Sequence, residues 1–286
     1  MRELLQIPAF SRAIVALFAC GTAFPLLGIY ILSLDLIPVR FGVMHLSLLG
    51  ATVGLIFGVD PVFFAMLFSV AAGFAIAGLS SRKSGGTSGG AMALLMTASL
   101  GVVFILFYKT NIHAIEAFNL FWGNVLALDR MEVLLVVLVS ALILAGTIRF
   151  LRPISAVLFD RETAYAFGFP STVVYTGILV MVCAGIGLGI RITGALMVDA
   201  VTLLPALAAQ SLKKNFKPTM LLASVFGVCI NLGGFALAVV FDLPTSPAII
   251  VVGTVVVLVC KLAARLQTKK KEKGVSWRAS SSLSPH

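Results

Sequence analysis

Long apolar runs broken by short polar stretches repeat along most of the chain. A helix rises about 1.5 Å per residue, so about 20 apolar residues cross a hydrocarbon core about 30 Å thick. Such windows fall at residues 13–34, 61–80, 91–108, 133–151, 172–190, 218–241 and 246–266. Two weaker windows are residues 43–58, which is short, and residues 193–211, which carries Asp199 and Pro205. The pattern predicts an all-α fold, a polytopic transmembrane helical bundle of eight or nine spans. The membrane domain takes residues 1–266 and leaves no room for a soluble one. Small residues recur within it. Gly50, Gly54 and Gly58 form a GxxxGxxxG ridge on the second span, and Gly185, Gly187 and Gly189 crowd a later one, so close helix approach is expected, as packing or as a moving or dimer-forming face.

Three polar breaks are long enough to have roles of their own. Residues 80–90, SSRKSGGTSGG, form a flexible basic connector. Residues 109–132 place Ile112, Ile115, Phe118 and Trp122 at helical spacing, which predicts a short amphipathic surface helix. Glu116, Asp129 and Glu132 offer negative charge there, where a soluble partner could land. The third break, residues 159–170, reads FDRETAYAFGFP. Asp160 suits an N-cap, Glu162 a first turn, Gly168 a left-handed C′ position, and Pro170 a stop. A helix of about two turns is marginal alone, so this one is expected to pack on the bundle or on a partner and to serve as a docking element.

Composition sharpens this picture. Of the 286 residues, 60% are hydrophobic and 11% charged, with a mean hydropathy of +1.10, against about 25% charged in soluble proteins. The net charge of +10 is explained by topology rather than by nucleic acid. With residues 159–170 cytoplasmic and nine crossings, sixteen Lys and Arg, Arg40 among them, fall on the cytoplasmic side against five outside. The C-terminus is then inside and the N-terminus outside; a re-entrant 43–58 segment would put the N-terminus inside. The basic, serine-rich tail at residues 267–286 is expected to be disordered, close to anionic lipid headgroups. Cys20, Cys183, Cys229 and Cys260 show no CxxC spacing and read as small buried hydrophobes. No cleaved leader is expected at the N-terminus.

Candidate chemistry is sparse. Asp199 stands inside a span, where a carboxylate costs about 2.5–3.5 kcal/mol on insertion scales, and by default marks an interior pathway. Thr202 shares its face, and Pro205 removes an amide donor and shapes the packing there. The plainer alternative is a carboxylate bonded to a neighbouring backbone or hydroxyl group. His45, on the glycine-ridged span, has the chemistry of a transition-metal ligand, or of a hydrogen-bonded packing residue. Asn231 reads as a tie between helices. GxxxxGK[ST] and HExxH motifs are both lacking, so any ATP hydrolysis belongs to another chain.

Four segments together resemble the membrane permease of ABC importers for zinc, manganese or iron. They are PLLGIYI at residues 25–31, IEAFNLFWGNVLA at 115–127, FDRETAYAFG at 159–168, and RITGALMVDAVTLLPALAA at 191–209 followed by DLPTSPAI at 242–249. The resemblance implies a non-enzymatic subunit with no bound cofactor, moving a divalent metal ion by alternating access in the cytoplasmic (inner) membrane of a prokaryote. Its implied partners are cytoplasmic ABC ATPase subunits, an extracytoplasmic metal-binding protein and a second permease copy. It further implies that Asp160, Arg161, Glu162, Ala164, Tyr165, Phe167 and Gly168 couple to the ATPase, and that His45 joins Asp199 as a pathway residue toward the metal. Phe41 and Met44 depart from the family pattern, which usually has an acidic and a small polar residue there. The alternative readings are a siderophore, haem or cobalamin permease, or a secondary transporter using Asp199 as its ion site.

Overall fold

The computed structural model describes residues 8–82, 89–110, 125–194, 197–212 and 214–281. The flexible connector and the amphipathic surface helix of the sequence reading fall mostly or wholly outside these residues. All regular structure among the described residues is helical. The elements are α1 (Pro8–Ser33), α2 (Ile37–Ile56), α3 (Pro61–Arg82), α4 (Gly89–Thr110), a 3₁₀ turn (Val125–Ala127), α5 (Arg130–Arg149), α6 (Leu151–Phe159), α7 (Arg161–Ala166), α8 (Ser171–Thr193), α9 (Val198–Ser211), α10 (Phe216–Phe241) and α11 (Thr245–Ser281). Among the described residues, eight of these are long and apolar enough to cross a membrane, and α9 is a shorter apolar helix.

Local signals explain the boundaries. Pro38 in the first turn of α2 is tolerated because a helix's first N–H groups lack partners, and the helix starts six residues before the expected window. Asp129 and Glu132 form a capping box at the start of α5: Asp129 Oδ1 accepts from the Glu132 amide at 2.6 Å, and Glu132 Oε2 from the Asp129 amide at 2.9 Å. These two carboxylates therefore serve the helix rather than offering free charge to a partner. Gly194, at φ +80°, ends α8 and splits the expected 193–211 span. Asp242 closes α10 in the left-handed region. The last helix continues to Ser281, beyond Gln267 where disorder was expected; no proline lies between Pro247 and Pro285 to stop it.

Two helix groups make up the bundle. In one, α1 packs against α5, α9 and α10, and α11 covers α9 and α10; in the other, α2 packs on α3 and α4. Helix α8 lies between them, mainly on α3 but also against α1, α2, α5 and α9, whereas α1 and α2 meet only slightly. The glycines of α8 permit this double contact. A Cβ on Gly185 or Gly189 would press on Leu27 or Phe24 of α1, and one on Gly187 would overlap Ser69 of α3. Gly50 and Gly54 admit α3 as the ridge predicts, but Gly58 does not belong to it. It follows the end of α2 at φ +66° with open space around it, so its role is the turn into α3.

Contact register gives the helix directions. Helix α1 runs parallel to α5, since Ile14 to Thr22 flank the same cleft as Val137 to Leu144 and Tyr30 meets Thr147. It runs antiparallel to α10, since Leu17 meets Asn231 and Gly21 meets Val228. As α5 leads into α6 and α7, the start of α1 lies on the face opposite α7, and the apolar part of α11 ends on the α7 face.

Candidate functional site

Two places in the fold concentrate chemistry. Inside the bundle, Asp199 occupies the first turn of α9, just after the break at Gly194. Its partner is neither backbone nor hydroxyl: it forms an ion pair with Arg40 of α2. The sequence reading counted Arg40 among the charges of a loop, yet it sits within a helix with only 2% of its surface exposed. A guanidinium in an apolar interior must be paired, and the lone acid of a neighbouring helix was the signal that could have located it. The Arg40 guanidinium also lies 4.2 Å from the centre of the Phe41 ring. Its Nε is buried with no hydrogen-bond partner among the described residues, so Asp199 carries most of its compensation. The burial is lopsided, with Asp199 32% exposed.

His45 lies on the same helix as Arg40. Its Nδ1–H donates to the Phe41 carbonyl at 2.8 Å. A carbonyl can only accept, so Nδ1 carries the proton of this bond, and Nε2 is the ring nitrogen it leaves uncommitted. No cluster of three or more His, Cys, Asp or Glu side chains able to hold a metal occurs among the described residues, and no bond joins His45 to Asp199. Thr202 Oγ1 donates back to the Val198 carbonyl at 2.6 Å. Pro205 is buried within α9. Where α1 crosses this helix, a Cβ on Gly28 would overlap the Thr202 carbonyl, so only glycine lets the two backbones come so close. Asn231 donates from Nδ2 to the Leu17 carbonyl at 3.1 Å, the interhelical tie expected of it. A second buried tie, Tyr30 Oη with Thr147 Oγ1 at 2.7 Å, had no signal in the sequence.

The second place lies outside the spans. Helix α7 is built from its own ends. Asp160 Oδ1 accepts from the amides of Glu162 at 2.8 Å and Thr163 at 2.9 Å. The amide of Thr163, followed by that of Glu162, holds the Asp160 carboxyl below its ordinary pKa. At the other end Gly168, at φ +82°, donates to the Tyr165 carbonyl and Phe169 to the Ala164 carbonyl, the paired bonds of a Schellman motif. Ala164 is buried, and the Arg161 guanidinium lies 4.4 Å from the Tyr175 ring centre, so α7 is pinned to α8. Pinning leaves Phe159, Tyr165 and Phe167 in the open, at 93%, 73% and 78% exposure. Three exposed aromatics around a capped turn make a surface suited to a protein partner.

Eight candidate spans among the described residues, with a short capped turn outside them, define the class: a polytopic membrane protein. The model of the ABC 3 transport family matches residues 6–264, and the chain belongs to that family. Among its relatives, the manganese transport system membrane protein MntC of Listeria innocua is 22% identical, over 95% of this chain and 98% of its own length. The high-affinity zinc uptake system membrane protein ZnuB of Buchnera aphidicola is 23% identical over 57% of this chain and 62% of its own. The solved structure of PsaBC from Streptococcus pneumoniae in complex with Fab contains a chain of the same fold, with a TM-score of 0.80 at 19% identity over 93% of this chain and 98% of that one.

Proposed function

We propose that this chain is the permease subunit of an ATP-driven ABC importer that moves a divalent metal ion across the cytoplasmic membrane by alternating access. ATP is hydrolysed on separate cytoplasmic subunits, which grip α7; a metal-binding protein delivers the ion on the opposite face, and a second copy of the chain completes the pathway. The observation that carries the reading is α7 itself. It is capped at both ends, fixed to α8 through Arg161 and Tyr175, and carries Tyr165 outward between the likewise exposed Phe159 and Phe167, so a push on this surface reaches the helix that touches both groups of the bundle. Membership of the ABC 3 transport family supports the same reading. On it, the end of α11 and the α7 face are cytoplasmic, and Asp199 and His45 border the path of the ion. The arrangement binds cargo weakly at most in the state described, because the one carboxylate is engaged with Arg40.

The test is uptake by proteoliposomes containing the permease with its cognate ATPase and binding protein. Uptake of Mn²⁺, Zn²⁺ or Fe²⁺ that requires ATP and all three components is the expected result. Transport by the permease alone, or of none of the three metals, overturns the reading.

A further inference from the structure

We propose that Arg40 is a resident cation that competes with the transported ion for Asp199, so that the Arg40–Asp199 pair is a latch excluding cargo until it parts. The inference rests on the proposed metal transport but adds to it a positioning residue that the sequence had placed in a loop. Three observations carry it. The pair is a bridge between groups: Arg40 belongs to α2 and Asp199 to α9, helices of the two separate groups, and α2 barely touches α1 of the other group. The burial is unequal, with the Arg40 side chain 2% and the Asp199 side chain 32% exposed; the Oδ1 that faces Arg40 is itself buried, so the open side of the pair is the remainder of Asp199. And no cluster of three or more potential metal ligands exists among the described residues to replace it. A divalent ion using Asp199 must displace the guanidinium, and the two equilibria are linked: whatever favours the pair weakens the ion by the same factor. Separation of the two helix groups would break the pair and hand the carboxylate over; their return would restore it and expel the ion. Phe41, on which the guanidinium rests at 4.2 Å, offers no charge to compete for Arg40.

Unequal burial also sets which variant is informative. Asp199→Asn strands a buried guanidinium, so lost uptake there mixes folding with function. Arg40→Gln leaves the partly exposed carboxylate unpaired. The experiment is equilibrium binding of Mn²⁺ to the purified, nucleotide-free permease–ATPase complex, in the wild type, Arg40→Gln and the double variant Arg40→Gln/Asp199→Asn. Arg40→Gln is expected to bind Mn²⁺ about tenfold more tightly, and the double variant to lose that gain. A pair whose carboxylate never meets the ion gives no gain that depends on Asp199. Unchanged or weaker binding in Arg40→Gln, or a gain that survives in the double variant, overturns the latch. Should Arg40→Gln fail to fold, Arg40→Lys, whose compact ammonium lacks the planar fork, is expected to give a smaller gain in the same assay, and no gain overturns the proposal equally. Wild-type uptake measured alongside separates the two claims. Intact ATP-dependent uptake with no affinity gain in the Arg40 variants removes only the latch, whereas no uptake of Mn²⁺, Zn²⁺ or Fe²⁺ by the wild type removes the transport reading.

Discussion

Asp160 shows how much a single side chain can settle. One carboxylate oxygen takes two amides of the first turn of α7, and these bonds favour the charged form, so its pKa is lower folded than unfolded. A depressed pKa means that the cap's contribution is fully present above the ordinary carboxylate value of about 3.9 and is lost as pH falls through the lowered value. Hydrogen exchange at the Thr163 amide should therefore show protection that is constant at neutral pH and collapses only in strong acid. Asp160→Asn keeps an acceptor without the charge and should flatten that profile, while Asp160→Ala should lose protection at every pH. A profile that Asp160→Asn leaves unchanged would refute the carboxylate's part. Arg40 is the contrasting case. Local signals marked Asp160, Gly168 and Pro170 as the limits of a helix because a cap is a contact between near neighbours in sequence. The partner of Asp199 lies far away in the chain, so the sequence could identify the acid as costly without saying what neutralised it.

At the scale of the helices, glycine decides where backbones meet. A Cβ on Gly227 would collide with the Gly21 carbonyl and the Pro25 ring, at the crossing of α1 and α10. Gly227→Ala should therefore cost about 1–3 kcal/mol by overpacking, read as a lower thermal midpoint in detergent. Gly177→Ala, with nothing within 4 Å, is the matched control and should not lower it. Equal effects from both would mean that close approach is not what Gly227 provides. Most spans were legible because a run of about 20 apolar residues is a property of the stretch itself. The misjudged elements each depend on something outside the run. The start of α2 was lost because Arg40 counted against a span, although its charge is compensated from α9. Gly58 matched a ridge spacing that assumed the helix continued, and the left-handed backbone there ends it. Asp129 and Glu132 looked available until both were seen capping α5. Helix α7 was legible in full, but which of its residues face outward was not. Ala164 and Phe167 appeared equivalent, and only the fold buries the first and exposes the second.

For the whole molecule, the proposed function makes the capped turn and the two helix groups one path: from α7, through Arg161 to α8, and from there to both groups. Changing Tyr165 and Phe167 together to Asp places charge on exposed positions, so the bundle should fold and the ATPase should bind at least tenfold more weakly, about 1.4 kcal/mol or more. Co-purification with the ATPase, alongside the melting midpoint of the permease, checks both halves. Retained co-purification would remove α7 as the docking surface. Ala164→Asp is the wrong probe, because its side chain enters the core.

Exposed rings at Phe159, Tyr165 and Phe167 have a cost when no partner covers them. With the orientation proposed above, a copy made in excess would carry a greasy, sticky knob into the cell interior, where it invites clumping and recognition by quality-control proteases. The chain's lifetime should thus depend on matched synthesis with whatever seats on that knob, and an orphaned copy should vanish fastest when those three rings are intact.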